Sequence, residues 1–250
     1  ANTTGGQNTA VGYNALTANT TASYNIAIGE NAMVANTTGA SNVAIGYQAL
    51  DATDDGVQNT AVGTAALSAN CGDTNTAVGA EALTACTGED NTALGKDAGG
   101  NVTSGVNNLF LGMQSGIAGS PGGSVTTGDN GIYLGDENIT DAFIQVDWTV
   151  ASDARDKTDV EDLSIGLDFV KQLKPKTYRW DKRSRYSEDQ SIDPDGSHKA
   201  EQLDVGFLAQ DVDALEKSLD FKDTDKKNLI SSVSDDGQMY GLKYSKFVPM

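Results

Sequence analysis

The sequence predicts a mainly β repeat solenoid followed by a small α+β domain. Three observations predict it. A short pattern recurs every 16 or 17 residues as far as residue 112, the charge balance changes near residue 151, and ordinary globular patterning begins beyond that point.

The repeat is Asn-x-Ala-aliphatic-Gly. It starts at Asn8 (NTAVG), Asn25 (NIAIG), Asn42 (NVAIG), Asn59 (NTAVG), Asn75 (NTAVG) and Asn91 (NTALG), and degenerates at Asn108 (NLFLG). GIYLG at Gly131 reads as a worn eighth copy. A second patch follows each Gly: NAL at Asn14, NAM at Asn31, QAL at Gln48, AAL at Ala65 and EAL at Glu81. Each unit is therefore expected to hold two short strands, joined by a Gly and closed by a polar loop, as one rung of a solenoid.

Strand periodicity puts Asn, Ala and Gly on one face and the aliphatic residue on the other. The expectation is that the aliphatic residues stack into a thin continuous core while aligned Asn side chains form amide ladders. One rung buries too little apolar surface to stand alone, so rungs must stack, and oligomerisation is the natural source of further burial.

These units resemble the head repeats of trimeric autotransporter adhesins and the related N-T-A-x-G-x-x-A-L arrays of phage tail fibres, over roughly residues 5 to 112. The resemblance implies a trimeric parallel β-roll, three chains packing around one axis.

Composition narrows the function. Up to Ala151 the only basic residue is Lys96, against fourteen Asp and Glu; from Ser152 onward sixteen Lys and Arg face twenty-one acidic residues. The two parts carry −13 and −5 of the net −18. Such a surface repels phosphate backbones and anionic lipid, so neither nucleic acid nor membrane is expected as a partner. No apolar run reaches the length of a membrane span. The chain opens on Ala1 rather than Met, and is read as a fragment of a longer protein.

Competing sites in the repeats are weak. The stretch 51-DATDDG-56 opens like a calcium loop, but its twelfth position is Val62, where a bidentate Glu is needed, so a solvated loop is expected. No metal or cofactor is predicted. Asn2, Asn19, Asn36, Asn101 and Asn138 begin N-x-Thr triplets, which this composition generates freely. Cys71 and Cys86 are read as free thiols, with a bridge between adjacent rungs as the alternative.

The stretch from Asn101 to Gly131 is rich in Gly and Ser and reads as an irregular loop. 139-ITDAFIQVDWTV-150 alternates well enough for a strand ending at the seam. Beyond it, 164-SIGLDFVKQLK-174 has helical spacing, with Ser164 as N-cap and Pro175 as stop. 176-KTYRWDKR-183 reads as a strand, residues 184–202 as a long polar loop carrying an exposed His198, and 203-LDVGFLAQDVDALEKS-218 as strand into helix. 239-MYGLKYSKFVPM-250 reads as a final strand.

The order SDARDK, GLDFVKQLKPKTYRW, VGFLAQDV, YGLKYSKFVPM is similar to the C-terminal intramolecular chaperone and auto-processing domain first associated with phage endosialidases and other tail spikes. The resemblance covers nearly everything from Ser152 onward. It implies a trimeric module that helps a β-rich fibre trimerise and then cuts itself off before its own first serine. Carried onto this chain, the scissile bond is Ala151–Ser152, Ser152 is the nucleophile and Lys157 the general base. Members of that family continue into a long helix after a segment like 244-YSKFVPM-250, which is expected to be missing here.

The chemistry is coherent without the resemblance. A serine hydroxyl needs a base to take its proton, and lysine serves when burial or nearby positive charge lowers its pKa. Ser152 is bonded to the carbonyl it would attack, so the step is intramolecular. Arg155 is a candidate to depress the lysine pKa, while Asp153 or Asp156 would silence Lys157 by pairing with it. The bland alternative is a charged loop capping a helix. No Ser-His-Asp arrangement, zinc cluster or phosphate loop competes.

The resulting organisation is 1–112 as repeats, 113–151 as a loop and strand leading to the cleavage site, and 152–250 as a self-cleaving chaperone. The expected protein is a homotrimeric virion fibre of a phage tail, with a host receptor or glycan as partner. The alternatives are a bacterial trimeric surface adhesin, and the C-terminal part of a glycan-degrading spike with its catalytic domain upstream.

Overall fold

The structure, a computed structural model, describes residues 2–145, 148–163, 166–187, 191–219, 230–234, 237 and 239–247. By internal contacts the chain divides into two compact units. One comprises Ala1–Asn138 with Asp181–His198 and Val233–Met239, the other Ile139–Trp180, Lys199–Ser232 and Tyr240–Met250.

Eight three-residue strands, β1 (Thr9–Val11), β2 (Ile26–Ile28), β3 (Val43–Ile45), β4 (Thr60–Val62), β5 (Thr76–Val78), β6 (Thr92–Leu94), β7 (Leu109–Leu111) and β8 (Ile132–Leu134), form one parallel sheet in chain order. The register is that of the repeat: Ala10, Ala27, Ala44, Ala61, Ala77 and Ala93 align in one column, continued by Phe110 and Tyr133. The solenoid thus runs past residue 112 and takes in the worn eighth copy.

The core lies on the opposite face from the one expected. Ala27, Ala44, Ala61 and Ala77 are fully buried, whereas the aliphatic residues beside them point outward, Val11 being 57% exposed, Ile28 38% and Leu94 53%. The roll is too thin for large side chains from the strand wall. The larger core groups come instead from the second patch, as Leu16, Met33, Leu50, Leu67 and Leu83.

That patch is a turn and not a strand. Its first and third residues take left-handed backbone angles in each of the first five rungs, as at Asn31 (φ 57°) and Met33 (φ 51°). Consecutive residues of a strand face opposite sides, but Ala32 and Met33 are both fully buried. The left-handed steps let two neighbours face inward together.

Rungs are tied by the buried Asn of each repeat. The amide oxygen of Asn42 accepts the backbone N–H of Asn59 at 2.8 Å, and its amide nitrogen donates to the carbonyl of Gly56 at 2.7 Å. The same side chain-to-backbone bond recurs from Asn8 through Asn108. Among the Asn residues that open the repeats, amide-to-amide bonds join Asn91 to Asn75 and Asn108 to Asn91; early in the array such bonds join loop and turn residues instead, Asn14 to Asn31 and Asn36 to Asn19. Glycine is required at the strand ends: Gly46 has φ 140°, and a Cβ there would lie 2.4 and 2.6 Å from the carbonyl oxygen and carbon of the next rung's Gly63.

At the C-terminal end of the roll the alanine column is replaced by aromatic rings. Phe110 is fully buried and stacks on Tyr133 with centroids 5.0 Å apart. The ring fits because residue 116 is glycine, where a Cβ would come within 2.3 Å of it. Cys71 and Cys86 are buried free thiols, as expected. Cys71 shares a hydrogen bond with the Thr53 hydroxyl.

In the second unit a helix α1 (Leu167–Gln172) buries Phe169 against Val212 of α2 (Ala209–Ser218) and against Ile230. The N-cap position is Gly166, without a side-chain cap bond, and not the expected Ser164, which lies outside the described residues. β9 (Lys176–Tyr178) pairs antiparallel with β10 (Asp204–Gly206), and β11 (Ser231–Val233) pairs with β12 (Tyr240–Leu242). Glu216 of α2 is fully buried, and its carboxylate accepts the backbone N–H groups of Ile230 and Ser231 at 2.9 and 3.1 Å. It anchors the helix to the strand.

The strand expected at 139–150 is not formed among its described residues, and Phe143 and Trp148 are 96% and 74% exposed. An alternating segment becomes a strand only against a neighbour, and among the described residues this one has none. The polar loop begins with a 3-10 turn at Arg183–Arg185. Asp181 then gathers the Tyr186 hydroxyl and the Gly196 N–H, and exposed His198 sits edge-on to Tyr186.

Replacing Asn59 by Ala strands the buried N–H of Asn75 and leaves the carbonyl of Gly72 only the longer bond from the Asn75 amide at 3.3 Å. It is expected to cost about 2 to 4 kcal/mol in denaturant unfolding. Burial pushes the Cys71 thiol up, and the Cys86 thiol up to about 11. An unfolded thiol ionises first, so stability falls as pH rises from about 9 toward about 11. Iodoacetamide at pH 8 should label both cysteines slowly in the native chain and rapidly in denaturant.

Candidate functional site

The seam between the charge regimes is solvent-facing: every residue from Trp148 to Leu163 is exposed. Within it the chain makes one local structure, a 3-10 turn over Ala154–Asp156. Asp153 caps the turn, its carboxylate accepting the backbone N–H of Arg155 at 2.9 Å. Short polar side chains do this well because they satisfy N–H groups that the turn leaves free. The turn closes through Asp156 N–H to the Asp153 carbonyl and Lys157 N–H to the Ala154 carbonyl.

The Arg155 guanidinium folds back onto the same carboxylate, with Nε 3.0 Å from Oδ1 and Nη2 2.6 Å from Oδ2. That pairing holds the Asp153 carboxyl below the usual carboxylate range and raises Arg155 above its ordinary value. After the turn the backbone of Lys157 is extended (φ −121°, ψ 140°), and its side chain reaches back over the turn. Its ammonium donates to Ser152 Oγ at 2.6 Å and to the Ser152 carbonyl at 3.3 Å.

Ser152 and Lys157, singled out in the sequence, are therefore neighbours. Of the two aspartates that would silence the lysine, Asp153 is engaged by Arg155. Among the described residues Lys157 makes no ion pair with any carboxylate. The Ala151 carbonyl, which a nucleophile at Ser152 would attack, accepts no hydrogen bond from the described residues.

Other sequence candidates lie elsewhere. The stretch 51-DATDDG-56 is a rung loop whose Asp54 carbonyl accepts the N–H groups of Thr37, Thr38 and Gly39. Among the described residues no group of His, Cys, Asp and Glu is arranged to hold a metal ion, and no helix is long and apolar enough to cross a membrane. What sequence reasoning missed is the Asp153–Arg155 pair. The i, i+2 Asp-x-Arg spacing after a serine was visible, but only the turn shows the two facing each other.

No curated protein and no solved structure matches the chain. Residues 152–221 match the family model described as chaperone of endosialidase, a family of self-cleaving chaperone domains, and the match begins on Ser152. This match and the parallel β-solenoid together fit a phage tail fibre with a C-terminal chaperone domain.

Proposed function

We propose that the chain is part of a homotrimeric, host-attaching tail fibre whose C-terminal domain, from Ser152 onward, assists trimerisation and folding and then releases itself by cutting Ala151–Ser152. The observation that carries the cleavage reading is the 2.6 Å contact between Lys157 Nζ and Ser152 Oγ, at the first residue of the family match.

Lys157, once deprotonated, takes the Oγ proton as Oγ attacks the Ala151 carbonyl carbon. The bond from that carbon to the Ser152 nitrogen breaks, and the nitrogen leaves as an amine carrying the proton returned by Lys157. The Ala151 acyl group now sits as an ester on Oγ. Water hydrolyses the ester, leaving a carboxylate on Ala151 and a free amine on Ser152. Because nucleophile and carbonyl are joined through the chain, the step avoids much of the entropy of bringing reactants together.

The trimer reading is supported by the outward column Val11, Ile28, Ile45, Val62, Val78, Leu94, Leu111 and Leu134, which runs the length of the sheet. A continuous aliphatic stripe on so acidic a chain suits burial against the same stripe of other copies. A chaperone supplies what the repeats lack. Near-equivalent rungs offer many slipped registers, and a globular nucleus selects one before cleavage leaves the fibre kinetically trapped.

Intact-mass spectrometry tests the cut. Wild type should yield two fragments, while Ser152→Ala and Lys157→Ala should slow cleavage by about a hundredfold or more. Equal cutting in the Ser152→Ala chain defeats the reading. Light scattering of Ser152→Ala should give three times the 26.0 kDa chain mass. Adding Ile28→Lys and Ile45→Lys should reduce it toward one chain, since three copies would then bury like charges together.

A further inference from the structure

We propose that Arg155 is a positioning residue for the cut: by holding the Asp153 carboxylate it keeps that carboxylate off Lys157 and leaves the lysine directed at Ser152. This rests on the reading that Ser152 and Lys157 perform the cleavage.

The argument begins with what surrounds Lys157. In sequence it is flanked by Asp153, Asp156, Asp159, Glu161 and Asp162, with Arg155 the one nearby cation. A lysine tied to a carboxylate is a poor base, because the ion pair stabilises its protonated form. Asp153 is the acidic residue whose position is best fixed, through its cap on the 3-10 turn that carries Lys157 back to Ser152. Left alone, it would offer a carboxylate four residues before the lysine on a tight turn.

The geometry diverts it. Arg155 engages both carboxylate oxygens, at 3.0 and 2.6 Å, and this fork-to-fork arrangement is one a lysine ammonium cannot reproduce. Lys157 contacts the Ser152 hydroxyl and carbonyl instead. An exposed ion pair adds little stability. The conspicuous consequence of Asp153–Arg155 is the choice of partner it leaves to Lys157.

Two functions of Asp153 are separable. As a turn cap it needs only a side-chain oxygen, which Asn also provides; as a competitor for Lys157 it needs negative charge. Asp153→Asn therefore keeps the cap and removes the competitor. Because the seam is exposed and outside both cores, these substitutions leave the fold in place.

The test is the pH–rate profile of self-cleavage in the full chain, followed by mass spectrometry, for wild type, Arg155→Gln, Asp153→Asn and the double variant. Arg155→Gln is expected to slow cleavage about tenfold at pH 7 and move the profile about one unit to higher pH. The double variant should return to within about threefold of wild type, with the profile restored. A wild-type profile in Arg155→Gln, or a double variant no faster than Arg155→Gln, overturns the proposal while leaving the dyad standing. Undiminished cleavage in Ser152→Ala removes the dyad, and the proposal with it.

Discussion

Everything in the repeat region follows from the buried Asn bond that ties one rung to the next. A rung of 16 or 17 residues encloses an alanine or two and one Leu or Met, far too little to order its backbone. The Asn amide converts stacking into specific bonding: its oxygen takes the N–H of the next rung and its nitrogen takes that rung's loop carbonyl. Fully desolvated, such a group is costly to leave unpaired, so rungs stack in one register or lose several hydrogen bonds at once. Alanine in the strand and glycine at its end keep the rungs close enough for those bonds.

The same thinness is what the proposed chaperone would compensate. With the wall filled by alanine, the larger aliphatic side chains point to solvent as a stripe. The alanine column itself gives way to the Phe110–Tyr133 stack toward the C-terminus. An array whose units are nearly interchangeable is specified weakly along its length, and a non-repetitive neighbour is the natural source of a fixed starting point. The second unit has the character the repeats lack: a small aromatic and aliphatic core around Phe169, Val212 and Ile230, and a buried Glu216 that pins helix to strand.

Much of this was legible in the sequence, and the failures are physical. The period, the rung boundaries, α1, α2, β9 and β10 could all be read from spacing and pattern, whereas Ser152 and Lys157 were paired by the family resemblance and not by their spacing alone. Strand periodicity separated Ala from its aliphatic neighbours correctly, but hydrophobicity alone named the wrong face as core. What decides the matter is the small gap between walls, a tertiary quantity. The second patch looked like a strand because left-handed angles at Asn, Gln, Glu, Leu and Met carry no strong residue signature. Residues 139–150 have a strand's alternation but, among the described residues, no neighbour to pair with, which no pattern within one segment reveals. Phe110 resembled decay of the repeat; with glycine at residue 116 it is a deliberate widening of the core.

The central claim is that the chain cuts itself at one bond. The most direct measurement is to express the chain and determine both new termini by mass spectrometry and N-terminal sequencing over a time course and a range of dilutions. The account predicts one fragment ending in a free carboxylate on Ala151 and one beginning with a free amine on Ser152, appearing at a first-order rate that does not change with dilution of the assembled protein. A new terminus at any other bond, or an assembled chain that stays whole, contradicts it.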